Sequence, residues 1–148
     1  MHCQINYLYD MYTEIAILMN AFMLGAMTSF IVVTSPTVFK TLKVENAKNL
    51  LRSIFPKLFK FCFLVSLLTT LFFVLGNFIY GIILSLFIAL SFLFNTYFLT
   101  RQINQKRDLS LKGDNNSSVY FKYMHLASVL LYLLNMVFVV FLIIVHYT

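Results

Sequence analysis

His125 is the residue of this 148-residue sequence best placed to do chemistry. Ser128, Tyr132 and Asn135 follow it at i+3, i+7 and i+10, spacings that put all four on one face of a helix. Such a face can hydrogen-bond neighbouring helices, or it can line a small polar pocket that takes a ligand or a proton. Richer chemistry lacks its parts. General acid–base catalysis needs two ionisable groups close together, and the five acids, Asp10, Glu14, Glu45, Asp108 and Asp114, fall in tails, loops or the ends of apolar stretches. A haem held by two histidines needs a second one at the depth of His125, whereas His2 and His146 map to the opposite membrane face. A His with a Met could ligate haem or copper, an alternative from a different class, but the seven methionines are scattered in the manner of packing residues. Cys3 and Cys62 form no C-x-x-C pair, so thiol redox chemistry and a thiolate zinc site lack their minimum ligand set. No catalytic residue, metal site or cofactor is expected.

The elements that must position these residues follow from composition. The chain is 61% hydrophobic and 11% charged, with a mean hydropathy of +0.86, which excludes an ordinary soluble domain, disorder and a disulfide scaffold. Crossing a hydrocarbon core of about 30 Å takes about 20 apolar residues. Four stretches suffice: 14–35, 56–75, 78–99 and 121–145. The expected fold is all-α, an integral membrane four-helix bundle running antiparallel, up and down, as one transmembrane domain over 1–148. Gly76-Asn77 supplies the tight turn between the second and third spans.

Charge sets the orientation. All eleven Lys and Arg lie either between the first two spans and at the start of the second (Lys40, Lys43, Lys48, Arg52, Lys57, Lys60) or between the last two and at the start of the fourth (Arg101, Lys106, Arg107, Lys112, Lys122). The positive-inside rule then puts both long connections in the cytoplasm and both termini outside. The charge is a topological signal with a secondary attraction to anionic lipid, and no nucleic-acid partner is implied. Tyrosines form the interfacial belt, with Tyr132 alone at mid-depth. No basic n-region precedes the first span, so it is expected to stay as an anchor. The Phe, Ile, Asn and Lys bias suggests a bacterial chain, and hence the inner membrane.

Within the first connection, Val44, Ala47, Leu50, Leu51 and Ile54 predict an amphipathic helix lying on the inner surface. Residues 104–118 read as a flexible loop. Two small-x3-small runs, Ala21/Gly25/Ser29 and Gly81/Ser85/Ala89, suit a compact bundle or a dimer face, so a second copy or another membrane protein joins the bilayer as an expected partner. Asn20, Ser66, Thr69 and Thr70 read as interhelical hydrogen-bonding groups. At the cytoplasmic side Pro36, Phe39, Asn95 and His125 fall at one depth, and with Ser128, Tyr132 and Asn135 they make up the candidate ligand-binding layer.

The run 25–56, with Pro36-x2-Phe39-x2-Leu42, Ala47, Leu50-Leu51 and Phe55-Pro56, resembles the domain of unknown function 4149 family, which includes transmembrane protein 205-like proteins. Phe121-x3-His125-x2-Ser128 is similar to that family's second signature. Leu126 stands where relatives often carry Gly, and Tyr132 stands where they carry Asn. The resemblance implies a four-helix multipass protein with no established enzymatic activity. It also implies a more distant likeness to copper-resistance D and haem-biosynthesis membrane proteins, which is where the haem- or copper-handling alternative comes from. A small-solute transport or efflux helper is a third reading, and the absence of intramembrane carboxylates weighs against ions as its cargo.

Overall fold

Apolar residues recur at helical spacing through all four hydrophobic stretches, and each stretch is helical, with no strand among the described residues. The computed structural model describes the backbone of residues 2–148 and their side chains other than those of 2–6 and 115, so Met1 and the side chains of His2 and Cys3 lie outside the described residues. Four helices are long and apolar enough to cross a membrane. The first rod joins α1 (His2–Ser29), a wider π-helical turn (Phe30–Thr34) and α2 (Ser35–Thr41). The second is α3 (Val44–Leu75). The third joins α4 (Ile79–Phe94), a second π-helical turn (Asn95–Leu99) and α5 (Thr100–Leu111), and the fourth is α6 (Asn115–Tyr147). Sequential rods pack side by side, and α6 closes against α1.

Three sequence expectations are corrected here. Residues 43–55 are no separate surface helix: α3 runs unbroken from Val44 through Pro56 to Leu75. Its buried stripe explains why, since Ala47, Leu51, Phe59, Cys62, Ser66, Thr69 and Phe73 face the bundle at steps of three, four and eight along one line. Packing on both sides of Pro56 holds the helix together despite the missing N–H. With 32 residues it is about 48 Å long, so one end projects beyond a hydrocarbon core of about 30 Å.

Pro36 likewise does not end the first rod. Its ring leaves the Val32 carbonyl without the usual donor four residues on, and the helix answers by widening. The N–H of Ser35 donates to the Phe30 carbonyl, five residues back, and α2 continues to Thr41.

Finally, 104–118 is mostly helix. The end of α5 is docked on α3 by Arg52, whose Nη1 and Nη2 donate to the two carboxylate oxygens of Asp108 at 2.8 and 2.9 Å. It stops at a glycine: Gly113 has φ +97°, its N–H donates to Ser110 O at 3.1 Å, and the Asp114 N–H donates to Leu109 O at 3.4 Å. Asp114 then caps α6, accepting from the N–H groups of Asn116 and Ser117 at 3.0 and 3.3 Å. The Ser117 hydroxyl also donates to it, at 2.6 Å. That hydroxyl, followed by the backbone donors, holds the Asp114 carboxyl below the usual carboxylate range.

The turn between α3 and α4 is as expected, with Asn77 in the left-handed region at φ 53°. The two small-residue runs diverge in use. Gly81, Ser85 and Ala89 are buried, while Ala21, Gly25 and Ser29 face away from the bundle. A Cβ at Gly81 would lie 2.6 Å from Phe73 Cγ, whereas one at Gly25 meets nothing within 4 Å. Gly81→Ala is therefore expected to destabilise by about 1–2 kcal/mol through overpacking, while Gly25→Ala leaves stability unchanged or slightly raised. Unfolding of the two variants in mixed micelles reads the difference directly.

Candidate functional site

Polar side chains inside an apolar bundle must find partners or carry a desolvation cost. Here they find each other across the helices. Asn95, fully buried in the second π-helical turn, meets Ser128 of α6 twice: Ser128 Oγ donates to Asn95 Oδ1 at 2.6 Å, and Asn95 Nδ2 donates to the Ser128 carbonyl at 3.2 Å. The turn itself is held by Thr100, whose N–H and Oγ1 both donate to the Asn95 carbonyl, the hydroxyl at 2.8 Å. Two turns further along α6, Asn135 Nδ2 donates to Ser91 Oγ of α4 at 2.8 Å.

Between these pairs lies Tyr132, whose side chain joins α6 to three other helices. Its hydroxyl donates to the Met27 carbonyl of α1 at 3.0 Å. Its ring stands 5.9 Å from Phe59 of α3 and 6.4 Å from Phe92 of α4, at interplanar angles of 48° and 80°. Phe55 and Phe30 extend this aromatic group along α3 and into the first π-helical turn. Elsewhere in the bundle Thr70 Oγ1 donates to Ser85 Oγ at 2.9 Å, tying α3 to α4, and Ser66 Oγ lies 3.4 Å from Met23 Sδ, between α3 and α1. Every adjacent pair of rods thus has a polar side-chain contact.

Of the residues singled out from the sequence, Asn95, Ser128, Tyr132 and Asn135 come together as one buried polar layer. His125, Pro36 and Phe39 do not join it. His125 is exposed, its ring lying nearly parallel to that of Phe121 with centroids 6.0 Å apart. It does share the helical face of Tyr132, but seven residues displace it about 10 Å along the axis, past the aromatic groups that enclose Tyr132. Phe39 is 46% exposed on α2 and Pro36 is also exposed. Ser91 is a further member of the layer, and its place four residues before Asn95 puts it on the same face of α4. The Met27 acceptor is a backbone atom and carries no sequence signal.

Asn20 departs from its expected role as interhelical glue. It is fully buried, yet neither Oδ1 nor Nδ2 has a hydrogen-bond partner among the described residues, and Asn135 Oδ1 is likewise unpaired. Among the described residues no three His, Cys, Asp or Glu side chains lie close enough to hold a metal ion.

A bundle of four membrane-length helices around a neutral polar layer defines a multipass membrane protein. The chain belongs to the family described as Domain of unknown function (DUF4149), whose match spans residues 18–110. That span contains the Pro36-to-Pro56 motif and Asn95, and ends before Phe121 and His125. No curated protein and no solved structure matches the chain.

Proposed function

We propose that this chain is a non-enzymatic binding protein of the bacterial cytoplasmic membrane, with four spans running up and down, both termini outside and both basic connections in the cytoplasm. The observation that carries this reading is the mutual pairing of the buried polar layer: Asn95 with Ser128, Asn135 with Ser91, and Tyr132 with the Met27 carbonyl. Groups spent on one another hold helices in register, and among the described residues the layer itself holds no acid–base pair for turnover. The alternation of direction is supported by long-range pairs at opposite ends, Arg52 with Asp108 at one and His146, 3.7 Å from Glu14, at the other. The distribution of Lys and Arg supports the orientation.

Recognition then falls to surfaces and to whatever polar group is left unspent. The unpaired amide of Asn20 favours a seat for a small neutral hydrogen-bonding ligand inside the bundle. The outward Ala21, Gly25 and Ser29 favour a second copy or another membrane helix as partner. Reporter fusions test the topology: a reporter active only in the cytoplasm is expected to work when inserted after Gly113 and to be silent at the C-terminus. The reverse pattern, or activity at both sites, would overturn the orientation.

A further inference from the structure

A cleft of about 390 Å³ opens between α3 and the segment formed by the second π-helical turn and α5, and its cations differ in their partners. Arg52 is committed, since both of its terminal nitrogens donate to Asp108. Lys60 on one wall and Arg101 on the other form no ion pair among the described residues. Asn104 and Gln105 bring amide donors to the same space. The Lys60 ammonium lies over the Tyr97 ring, 5.7 Å from its centroid, which keeps it at the cleft rather than along the helix.

We propose that this cleft binds the phosphate group of an anionic phospholipid. Two cations without carboxylate partners, one of them a guanidinium fork, together with amide donors are the groups that recognise phosphate oxygens. Depth selects a lipid over a free phosphate. Lys60 directly precedes the apolar run that begins at Phe61, and Arg101 follows, after Thr100, the one that ends at Leu99. The cleft therefore sits where hydrocarbon gives way to headgroups. Below it, Leu64 lies one turn from Lys60, and Phe94 lies two turns from Arg101. These side chains are 59% and 49% exposed, apolar surface along which an acyl chain can run from a phosphate held above. The site depends on the cleft alone, so it stands or falls apart from the orientation argued above.

The test uses the full chain purified in neutral detergent, titrated with mixed micelles carrying phosphatidylglycerol or phosphatidylcholine, with inorganic phosphate as a third probe. Phosphatidylglycerol is expected to bind and phosphatidylcholine to bind far more weakly. The double variant Lys60→Gln/Arg101→Gln should weaken phosphatidylglycerol binding by about tenfold or more. Lys48→Gln/Lys122→Gln removes the same charge away from the cleft, and its affinity should stay within about twofold of the parent. Equal losses in both double variants would reduce the effect to general attraction and overturn the site. Binding of inorganic phosphate as tight as that of the lipid would overturn the lipid assignment. Should the cleft variant fail to fold, Asn104→Asp sets a competing carboxylate in the same cleft and must show the weakening; an unchanged affinity there overturns the proposal.

Discussion

Tyr132→Ala is expected to lower the stability of the bundle by about 3–4 kcal/mol, the largest loss available from one side chain of the polar layer. Lipid is as apolar as the protein interior, so burial of the ring away from water contributes little. The loss comes from packing and from one hydrogen bond. Removing the phenol ring opens roughly 100 Å³ that Phe59, Phe92 and the α1 backbone cannot all refill, and a residual cavity costs about 24 cal/mol per Å³. The Met27 carbonyl also loses its donor, an interhelical bond worth roughly 0.6–1.7 kcal/mol in a bilayer. Tyr132→Phe separates the two, since it keeps the ring against Phe59 and Phe92 and removes only the hydroxyl. Its expected loss is about 1 kcal/mol. Reversible unfolding in bicelles reads both. Equal losses for the two variants would mean that the hydroxyl alone, and not the ring's contact with α3 and α4, matters at this position.

The spans were legible because hydropathy reports the bilayer and needs no knowledge of neighbours. Helix ends were not, because they depend on packing. Pro36 and Pro56 both look like boundaries, and both sit inside longer rods. The first is absorbed by a π-helical turn, and the second is held by a stripe from Ala47 to Phe73 that continues across it. Residues 104–118 look like a loop by composition, yet they carry their own punctuation in Gly113 and the Asp114-x-x-Ser117 cap. The Arg52–Asp108 pair that docks them spans 56 positions of sequence. The site divides in the same way. Periodicity placed Ser128, Tyr132 and Asn135 on the inner face of α6, while depth matched Asn95 to His125, one turn short of its partner Ser128. Periodicity could not show that His125, on the same face, is left exposed while the three residues that follow it on that face are buried.

Asn20→Leu is expected to act in the opposite direction, raising stability by about 1–3 kcal/mol, the cost of leaving a buried amide unpaired. Asn20 is fully buried on the face of α1 that also carries Ala16, Ile17, Met23 and Met27, and both of its polar atoms lack a partner among the described residues. Leucine has the same number and branching of side-chain heavy atoms and suits those neighbours, so the exchange removes a desolvated group without opening a cavity, its larger methyl groups offsetting part of the gain. Asn135 is the internal control, because its Nδ2 is spent on Ser91 and only Oδ1 is free. Asn135→Leu breaks that bond, strands the Ser91 hydroxyl and should destabilise. The sign at position 20 separates two roles for the interior. A gain in the isolated protein means that the amide is maintained against stability, as a group kept ready for a ligand or partner must be. A loss of about 1 kcal/mol or more would mean that the amide is already engaged in the membrane. The helices must then adjust to give it a partner, and the interior is a packing device from end to end.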